Sequence, residues 1–498
     1  MSPNQDFSPE TGPRNSIAER VLENPKLTFE VDDDGIVIAV KAELLVRRSA
    51  RETTAELHEE LSKIATRHGT LASIPKAPRA PDGERSAEQG VRRGYQPAEN
   101  GPAGDIEIWR LTDDTADSID EARRLRRFAV DVPLEMRKGG AGGWSLSLPA
   151  VSPNHVAILS TAHGGGCPAS PPRPAPAPEE SFVEPPGSDA TARVTVLDSG
   201  YIYVAPPAQP HLTLNERVTL VDGERLDTLT NPASWKPDAP DGVDSDGDGR
   251  LDGIAGHGTF IAGLIAHMCP QGELTVVGLR NQEVDITGLD PAEQAGLFET
   301  EAAIAHAMLE HADTDVIQCG FAFPTLDDYP SLPFAAAMKV LIGPDAPRQG
   351  VAVVAPAGNE ESRRRYWPAA LPDVIGVAST NRHGKKRAWF SNWGDWCDCC
   401  TRGEDVYSTF VYWDGPIEGE PVDASYDFDG WARWDGTSFA APKVSAAIAC
   451  LVADAEEELL PTEAWAILVG GGTDVDVTEL TDDTLPGAPV TLPRLHLE

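Results

Sequence analysis

Three residues of this 498-residue chain have side chains that together can perform nucleophilic catalysis. Asp198 ends an apolar, strand-like run, His257 begins an apolar helical pattern between two glycines, and Ser438 begins another helical pattern. A serine becomes a nucleophile when a histidine accepts its proton and a carboxylate orients that histidine. Taken singly, each residue has an ordinary explanation as a turn aspartate, a surface histidine or a helix N-cap serine. Taken together, they predict a catalytic triad.

The sequence around each of these residues resembles a motif of the subtilisin-type serine peptidases. The segments are VTVLDSG at 194–200, GHGTFIAG at 256–263 and GTSFAAP at 436–442, in the family's order of Asp, His and Ser. A fourth segment, VAVVAPAGN at 351–359, resembles the family's strand that ends in an oxyanion-hole asparagine. FSNWG at 390–394 resembles a further recurrent family segment. These matches occur in the right order, so the resemblance is far more specific than any one motif.

The resemblance spans roughly residues 190–475 and implies a serine endopeptidase that acts on protein or peptide substrates. It implies that Ser438 attacks the peptide carbonyl after His257 takes its proton, while Asp198 orients the histidine. Asn359 and the Ser438 backbone N–H would hold the oxyanion, since the start of a helix offers free N–H groups. The chemistry requires no cofactor. The alternative is a catalytically silent regulatory module that binds peptides in the same cleft, and the complete set of catalytic side chains argues against it.

The resemblance also locates the walls of the substrate cleft. It implies substrate-binding roles for Gly320, Phe321, Ala322, Ala357 and Gly358. At the first three of these positions the family usually has Ser-Leu-Gly, and this chain has Gly-Phe-Ala. We expect the bulky Phe321 to lie at or near the substrate channel and to alter the range of substrates. Pairing with an extended peptide should persist, because it uses backbone groups.

An acidic loop directly precedes the histidine motif. Asp244, Asp246, Asp248 and Asp252 occupy the spacing of the first ligands of an EF-hand, but position 12, where a glutamate belongs, is Ala255. These carboxylates repel one another unless a cation lies among them. The loop is therefore either a solvated acidic segment or a structural calcium site completed by other segments, as many subtilases have.

Three cysteines form a C-x-C-C pattern at Cys397, Cys399 and Cys400. A zinc site would need a fourth ligand, and the sequence has no CxxC pair. Buried free cysteines in a strand are the better interpretation.

Hydrophobic patterning predicts an α/β fold for the region that carries these residues. Short apolar strands alternate with helical patterns, which favours a mostly parallel sheet with helices on both faces, as in subtilisin. The predicted strands span 193–197, 274–279, 315–319, 351–355 and 374–378. The predicted helices span 258–268, 301–312, 333–342 and 439–454.

The preceding third of the chain has a different character and divides into three parts. Residues 1–26 are polar and rich in proline, and we expect a flexible tail. Residues 27–163 alternate strand-like and amphipathic segments, including a helical stripe at 53–68, and predict a small α+β domain. Eight prolines between 168 and 186 mark 164–189 as a linker, and 190–498 then form the peptidase domain. The front domain is either a prodomain that is cut away or an uncleaved regulatory domain.

Charge and composition restrict the partners and the location. The net charge is −38, of which −33 falls in residues 151–498. Such a polyanion would be repelled by nucleic-acid phosphates and anionic lipids, so we expect neither nucleic acid nor membrane as partner. No signal peptide or membrane-spanning run is readable, and seven cysteines make a poor disulfide framework, which favours the cytoplasm. The expected partners are a protein or peptide substrate and an activating or regulatory protein.

Overall fold

The computed structural model describes most of the chain in fourteen pieces. They are residues 26–32, 35–74, 98–134, 146–158, 168–179, 183, 192–202, 212–220, 249–279, 298–418, 420–421, 424–470, 475–480 and 490–497. Of the predicted tail, only Lys26 lies within the described pieces. Three of the four aspartates of the acidic loop, Asp244, Asp246 and Asp248, lie outside them.

The elements within these pieces are numbered in chain order. The strands are β1 (Leu27–Asp32), β2 (Gly35–Arg47), β3 (Ala65–Thr70), β4 (Ile106–Leu111), β5 (Val132–Leu134), β6 (Leu146–Leu148), β7 (Val151–Ile158), β8 (Arg173–Pro174), β9 (Ala192–Asp198), β10 (Val218–Leu220), β11 (Gly272–Gly278), β12 (Phe298–Thr300), β13 (Val316–Cys319), β14 (Ala352–Pro356), β15 (Val374–Thr380), β16 (Cys399–Arg402), β17 (Val406–Gly415), β18 (Tyr426–Trp434), β19 (Val475–Leu480) and β20 (Val490–Leu495). The helices are α1 (Arg48–Thr53), α2 (Ala55–Ile64), α3 (Ser118–Arg126), α4 (Leu212–Arg217), α5 (His257–Met268), α6 (Glu301–Glu310), α7 (Leu332–Leu341), α8 (Ala441–Asp454) and α9 (Pro461–Gly470).

The main sheet has the strand order β10-β11-β9-β13-β14-β15-β16-β20-β19 within the described residues. The pairs from β10 to β16 are parallel, and β9 and β13 align so that Leu197 faces Cys319. Two hydrophobic clusters, one on each side, bury this sheet. Continuous Val, Ile and Ala strands are what a sheet covered on both faces requires. The predicted mostly parallel α/β fold is confirmed, and the strand ends meet at one edge.

Within the described residues, the front region forms a second sheet with three helices. Its order is β12-β7-β2-β4-β3, with β1 paired to β2, and the pairs are antiparallel. The helical stripe predicted for 53–68 is only partly right, because α2 ends at Ile64 and Ala65–Thr70 pairs with β4. Gly69 therefore lies within β3. Backbone pairing with β4 stabilises a strand in this segment, because its helical pattern is weak.

Backbone pairing and packing join the front sheet to the rest of the molecule. Strand β12, which comes from the part of the chain that forms the main sheet, pairs with β7, with Thr300 facing Val156. The His155 ring is buried between the two parts: its Nδ1 lies 2.7 Å from Glu301 Oε1, and Leu326 N–H donates to its Nε2 at 3.0 Å. One hydrophobic cluster contains side chains of both parts, including Ile108. The front region thus shares a core with the main sheet.

The described part of the proline-rich segment is docked, in contrast to the free linker expected from composition. Strand β8 pairs antiparallel with β18, where Arg173 faces Arg433. Ala169 N–H donates to Asp435 O at 2.9 Å, and Ala175 N–H donates to Trp431 O at 3.1 Å. Proline is tolerated here because an edge strand leaves alternate N–H positions unused. Residues 168–179 therefore lie against the chain that leads to Ser438.

None of the helices in the described pieces has both the length and the apolar content needed to cross a bilayer.

Candidate active site

Asp198 and His257 form a fully buried pair at the edge where the parallel strands end. Asp198 is the last residue of β9, and His257 is the first residue of α5, behind Gly256 in a left-handed conformation (φ 76°). His257 Nδ1 lies 2.8 Å and 2.9 Å from the two carboxylate oxygens of Asp198. Ser199 N–H also donates to Asp198 Oδ1, at 2.7 Å. A carboxylate on Nδ1 holds the proton there and lets Nε2 act as a base.

Ser438 lies in a 3₁₀ turn, Thr437–Phe439, which leads directly into α8. Its Oγ donates to Gly320 O at 3.2 Å. Aromatic residues on either side of Ser438 in the sequence contact the imidazole of His257. The Phe439 ring centroid lies 5.2 Å and the Trp434 ring centroid 5.7 Å from that of His257. The three predicted triad residues are thus brought to one place from strands and helices far apart in sequence.

The side chain of Asn359 is held in a defined orientation. Its Oδ1 accepts hydrogen bonds from Thr437 N–H at 2.8 Å and from Thr437 Oγ1 at 2.9 Å. Gly358 N–H in turn donates to Thr437 Oγ1 at 3.1 Å. Because Oδ1 is fixed as the acceptor, the amide nitrogen is the group that can donate to a ligand. This is the orientation that oxyanion stabilisation requires.

A buried hydrogen-bond network supports the loop that carries Asn359. Asn392 Oδ1 accepts from Glu360 N–H and Ser362 N–H, both at 2.9 Å, and Asn392 Nδ2 donates to Ala357 O at 3.1 Å. Glu360 Oε2 accepts from Asn392 Nδ2 and from Asn359 N–H, both at 2.9 Å. Burial raises the pKa of Glu360 to about 7, although these donors favour its ionised form. Asn392 lies in the FSNWG segment, but its bridging role required the structure.

The predicted substrate-binding residues occupy the ends of β13 and β14. Gly320 N–H donates to Leu197 O at 2.9 Å, and Ala357 N–H donates to Val377 O at 2.9 Å. The structure corrects the expectation for Phe321. Its side chain is completely buried and stacks on Phe334 with ring centroids 6.2 Å apart, so the ring fills the core.

Gly358 and Ala322 complete the predicted set. Gly358 has φ 98°, and a Cβ there would come within 2.4 Å of Asn392 Nδ2, so the loop requires glycine. Ala322 is half-buried and packs against the core. Gly320 and Gly358 therefore contact the segment that carries Ser438, whereas Phe321 and Ala322 pack in the core.

The metal prediction falls mainly outside the described residues, where Asp244, Asp246 and Asp248 lie. Asp252 is described and buried, and its carbonyl accepts from Ala255 N–H at 2.9 Å. Glu418 is buried nearby and accepts from Gly253 N–H at 3.1 Å. The described part of the chain contains no cluster of three or more His, Cys, Asp or Glu side chains suited to a metal.

The C-x-C-C cysteines are buried thiols. Cys399 and Cys400 lie in β16, in the main sheet, and Cys397 is buried just before it. The interpretation as buried strand cysteines is confirmed for the two that β16 contains.

Asp435, three residues before Ser438, is a residue that motif analysis did not single out. Its carboxylate accepts from Arg173 at 2.7 Å, from Ser170 Oγ at 2.8 Å and from Asp405 N–H at 2.6 Å. Burial alone would raise the pKa of Asp435, but these donors hold it below its ordinary value. No local sequence signal pairs this aspartate with an arginine in the proline-rich segment.

Comparison with known proteins agrees with this geometry. The model of the subtilase family, peptidase group S8, matches residues 189–481. The Major intracellular serine protease of Bacillus subtilis (strain 168) is 27% identical over 249 residues, which cover 48% of this chain and 69% of that protein. The Thermophilic serine proteinase of Bacillus sp. (strain AK1) is 32% identical over 111 residues, and this match spans 22% of the chain and 23% of that protein.

Two solved structures show lower similarity. A cold adapted subtilisin-like serine proteinase is 18% identical with a TM-score of 0.40, covering 66% of this chain and 95% of the other. The Prenylagaramide maturation protease PagA is 19% identical with a TM-score of 0.39, and the match covers 62% of this chain and 92% of that protein. Because the family model matches more than half of the chain, the chain belongs to the subtilase family and is a subtilisin-like serine endopeptidase.

Proposed function

We propose that the chain hydrolyses peptide bonds in protein substrates with Ser438 as nucleophile and His257 as general base. The buried Asp198–His257 pair, with 2.8 Å between Nδ1 and Oδ1, is the observation that carries this proposal. A buried carboxylate stabilises the imidazolium that forms when the serine proton is taken. Fluorophosphonate labelling tests it: wild type should be labelled at Ser438, and Ser438→Ala should not.

The reaction follows from the positions of the other groups. Ser438 Oγ adds to the peptide carbonyl, and the oxyanion is held by the Asn359 amide and the Ser438 backbone N–H. His257 then donates its new proton to the leaving amine, and water hydrolyses the acyl enzyme by the same route. A substrate strand would pair with the backbone that follows β13, next to Gly320. The alternative of a silent peptide-binding module predicts no labelling in either protein.

We further propose that the active site is restrained in this state. His257 and Ser438 have no exposed surface, although a peptide must reach both. The docked segment 168–179 lies against the chain just before Ser438, and its Ser170 O accepts from Trp434 Nε1 at 2.5 Å. A substrate or partner would therefore have to displace part of the covering chain.

The contacts of the front domain support a role as a regulatory domain that stays associated. Besides the buried His155–Glu301 contact, Arg123 forms an ion pair of 2.6 Å with Asp327 of the peptidase part. A shared hydrophobic core is costly to expose, so cleavage of the backbone alone would not release the domain. Mass spectrometry of wild type and Ser438→Ala distinguishes the two options. A Ser438-dependent cut between about residues 160 and 190 supports a prodomain. An uncut chain in both wild type and Ser438→Ala supports a regulatory domain.

The polyanionic surface suggests a preference for basic substrates. Residues 151–498 carry a net charge of −33, which attracts cationic peptides over long range. Cleavage of a Lys-rich peptide should then slow with rising salt, while cleavage of a neutral peptide of equal length should not. Equal salt dependence of the two rates would contradict this preference.

Two further predictions concern location and calcium. We propose a cytoplasmic location, which is supported by the intracellular designation of the Bacillus subtilis relative.

Calcium would be structural, since the triad chemistry requires no metal. Asp252 and Glu418 are buried carboxylates that could contribute oxygen ligands, with the remaining ligands coming from the other aspartates of the acidic loop.

A further inference from the structure

A strongly basic turn lies on the surface of this acidic chain. It follows β15 and comprises residues 381–386, in which four side chains that are cationic or can become so are exposed: Arg382, His383, Lys385 and Lys386. Within the described part of the chain, no ion pair involves Arg382, Lys385 or Lys386. The chain as a whole has a net charge of −38, so carboxylates are abundant. The basic turn nevertheless presents its charges to solvent, where another molecule can bind them.

Hydrogen bonds hold the backbone of the basic turn in one conformation. Asn381 Oδ1 accepts from His383 N–H and Lys385 N–H, both at 3.2 Å. Gly384 N–H donates to Asn381 O at 2.7 Å, and Gly384 has φ 64°. Arg494 of β20 donates to Gly384 O and adds a further cation beside the turn. Because the turn is ordered before a ligand arrives, binding costs little conformational entropy.

An exposed aromatic ring lies close to the basic turn in the sequence. Trp389 is 56% exposed, and its ring packs edge-on against the buried Phe390, with ring centroids 5.3 Å apart. Arg387, which directly follows the turn, donates to Trp389 O at 3.2 Å. Tryptophan and cationic side chains together are typical of binding surfaces. The basic turn and Trp389 therefore suit an acidic peptide that carries an apolar side chain.

This surface lies next to the loop that carries Asn359. Arg387 forms a 3.0 Å ion pair with Glu361, two residues beyond Asn359, and Glu361 N–H donates to Phe390 O at 2.9 Å. Strands β14 and β15 are parallel, so Asn359 and the basic turn follow strand ends at the same edge of the sheet. A protein bound at this edge can therefore contact the basic turn with a second segment of its chain.

We propose that the basic turn and Trp389 form an exosite that binds an acidic segment of a protein substrate. The proposal rests on the peptidase activity proposed above and adds a substrate class to it, namely proteins with an acidic segment near the cleaved bond. The acidic surface of the chain attracts the basic parts of such a substrate, and the exosite binds its acidic segment by direct contact. At physiological salt, repulsion from carboxylates more than about 8 Å away is largely screened.

Binding of an acidic peptide to the full chain carrying Ser438→Ala tests the exosite independently of cleavage. The probe is a fluorescently labelled peptide of glutamate and leucine, and its binding is followed by fluorescence anisotropy. We expect its Kd to rise with added salt, because salt screens the attraction to the turn, whereas repulsion by the whole chain would make Kd fall. A Kd that falls with added salt would overturn the proposal.

Variants of the Ser438→Ala protein assign this binding to the exosite. Lys386→Glu should raise the Kd of the acidic peptide by at least about threefold, and Trp389→Ala should also raise it. Lys339→Glu, which changes an exposed lysine of α7 and alters the net charge equally, is the matched control and should have a smaller effect. Equal effects of Lys386→Glu and Lys339→Glu would contradict a local site.

Cleavage kinetics of the active enzyme test the link to the active site. Two fluorogenic peptides share one scissile segment and differ in a tail of glutamate and leucine or of glutamine and leucine. The kcat/KM of wild type should be at least about threefold higher for the acidic tail, and Lys386→Glu should lose this preference while Lys339→Glu keeps it. Equal kcat/KM for the two tails in wild type would overturn the proposal. Failure to cleave either peptide would contradict the peptidase function instead, and the binding measurement would still decide on the exosite.

Discussion

Gly320 lies so close to the Asp198 carboxylate that a Cβ built on it would come within 1.5 Å of Asp198 Oδ2. Asp198 ends β9, and Gly320 directly follows the neighbouring parallel strand β13. The missing side chain of Gly320 leaves the space in which the carboxylate contacts His257. Gly320 O also accepts the Ser438 hydroxyl. The contact between Asp198 and His257 thus requires a glycine at position 320.

Gly320→Ala should therefore lower kcat by at least about 100-fold, because Asp198 must move and cannot orient His257. Steady-state kinetics on a chromogenic peptide measures this effect. Gly470→Ala is the matched control, since a Cβ there meets nothing within 4 Å. Near-normal kcat in a folded Gly320→Ala protein would contradict the proposed role of Asp198.

Ser438→Ala should abolish peptide cleavage, whereas Asn359→Ala should leave a measurable remainder. In subtilisin, loss of the oxyanion-hole asparagine costs about 10²–10³ in kcat, which sets the expected scale. KM should change little, because the oxyanion exists only beyond the ground state. Equal activity of wild type and Ser438→Ala would refute the assignment of the nucleophile.

Arg173→Ala should loosen the docked segment 168–179, since it removes a 2.7 Å charge-assisted hydrogen bond to Asp435. If this segment restrains the active site, kcat/KM should rise by about threefold or more. Arg110→Ala, which loses only a 3.8 Å ion pair to Glu43, is the control. A fall in kcat/KM would show instead that the segment positions Ser438.

Glu360 should give stability a distinctive pH dependence. Its pKa of about 7 in the folded state lies above that of the unfolded chain, so the folded state binds the extra proton between about pH 4.5 and 7. Stability from this group is present at low pH and declines as pH rises through 7, by about 2 kcal/mol between pH 5.5 and 8. Urea unfolding at pH 5.5 and pH 8 of Ser438→Ala, with and without Glu360→Gln, measures it. If the free energy of unfolding differs between pH 5.5 and pH 8 by the same amount with and without Glu360→Gln, Glu360 is not the source of the pH dependence.

Calcium should raise the melting temperature by several degrees if the acidic loop binds it, since a ligand selective for the folded state stabilises that state. Scanning calorimetry with calcium, with magnesium and with chelator compares the three conditions. Asp246→Asn should reduce the calcium effect, whereas Asp395→Asn, outside the loop, should not. A melting temperature indifferent to calcium and chelator leaves a solvated loop as the explanation.

Much of the fold and of the candidate site was predictable from local sequence. Strand and helix positions in the main sheet follow from hydrophobic period and length, which are local properties of the chain. The triad and Asn359 could be proposed from sequence because the roles we assign to them require particular residue types next to glycines at strand and helix ends. The burial of the Phe321 ring could not be predicted from local sequence. It depends on how α7, which carries Phe334, packs against the end of β13.

The sequence by itself predicted which residues carry the chemistry and determined the kind of sheet in which they lie. Only the tertiary structure decided what surrounds them: the docking of the proline-rich segment on Asp435 and the β12–β7 pairing. The side-chain contacts of Arg173 and Ser170 with Asp435 join residues 262 and 265 positions apart. No local pattern encodes such pairings, because they depend on the three-dimensional arrangement of elements whose individual sequences permit many partners.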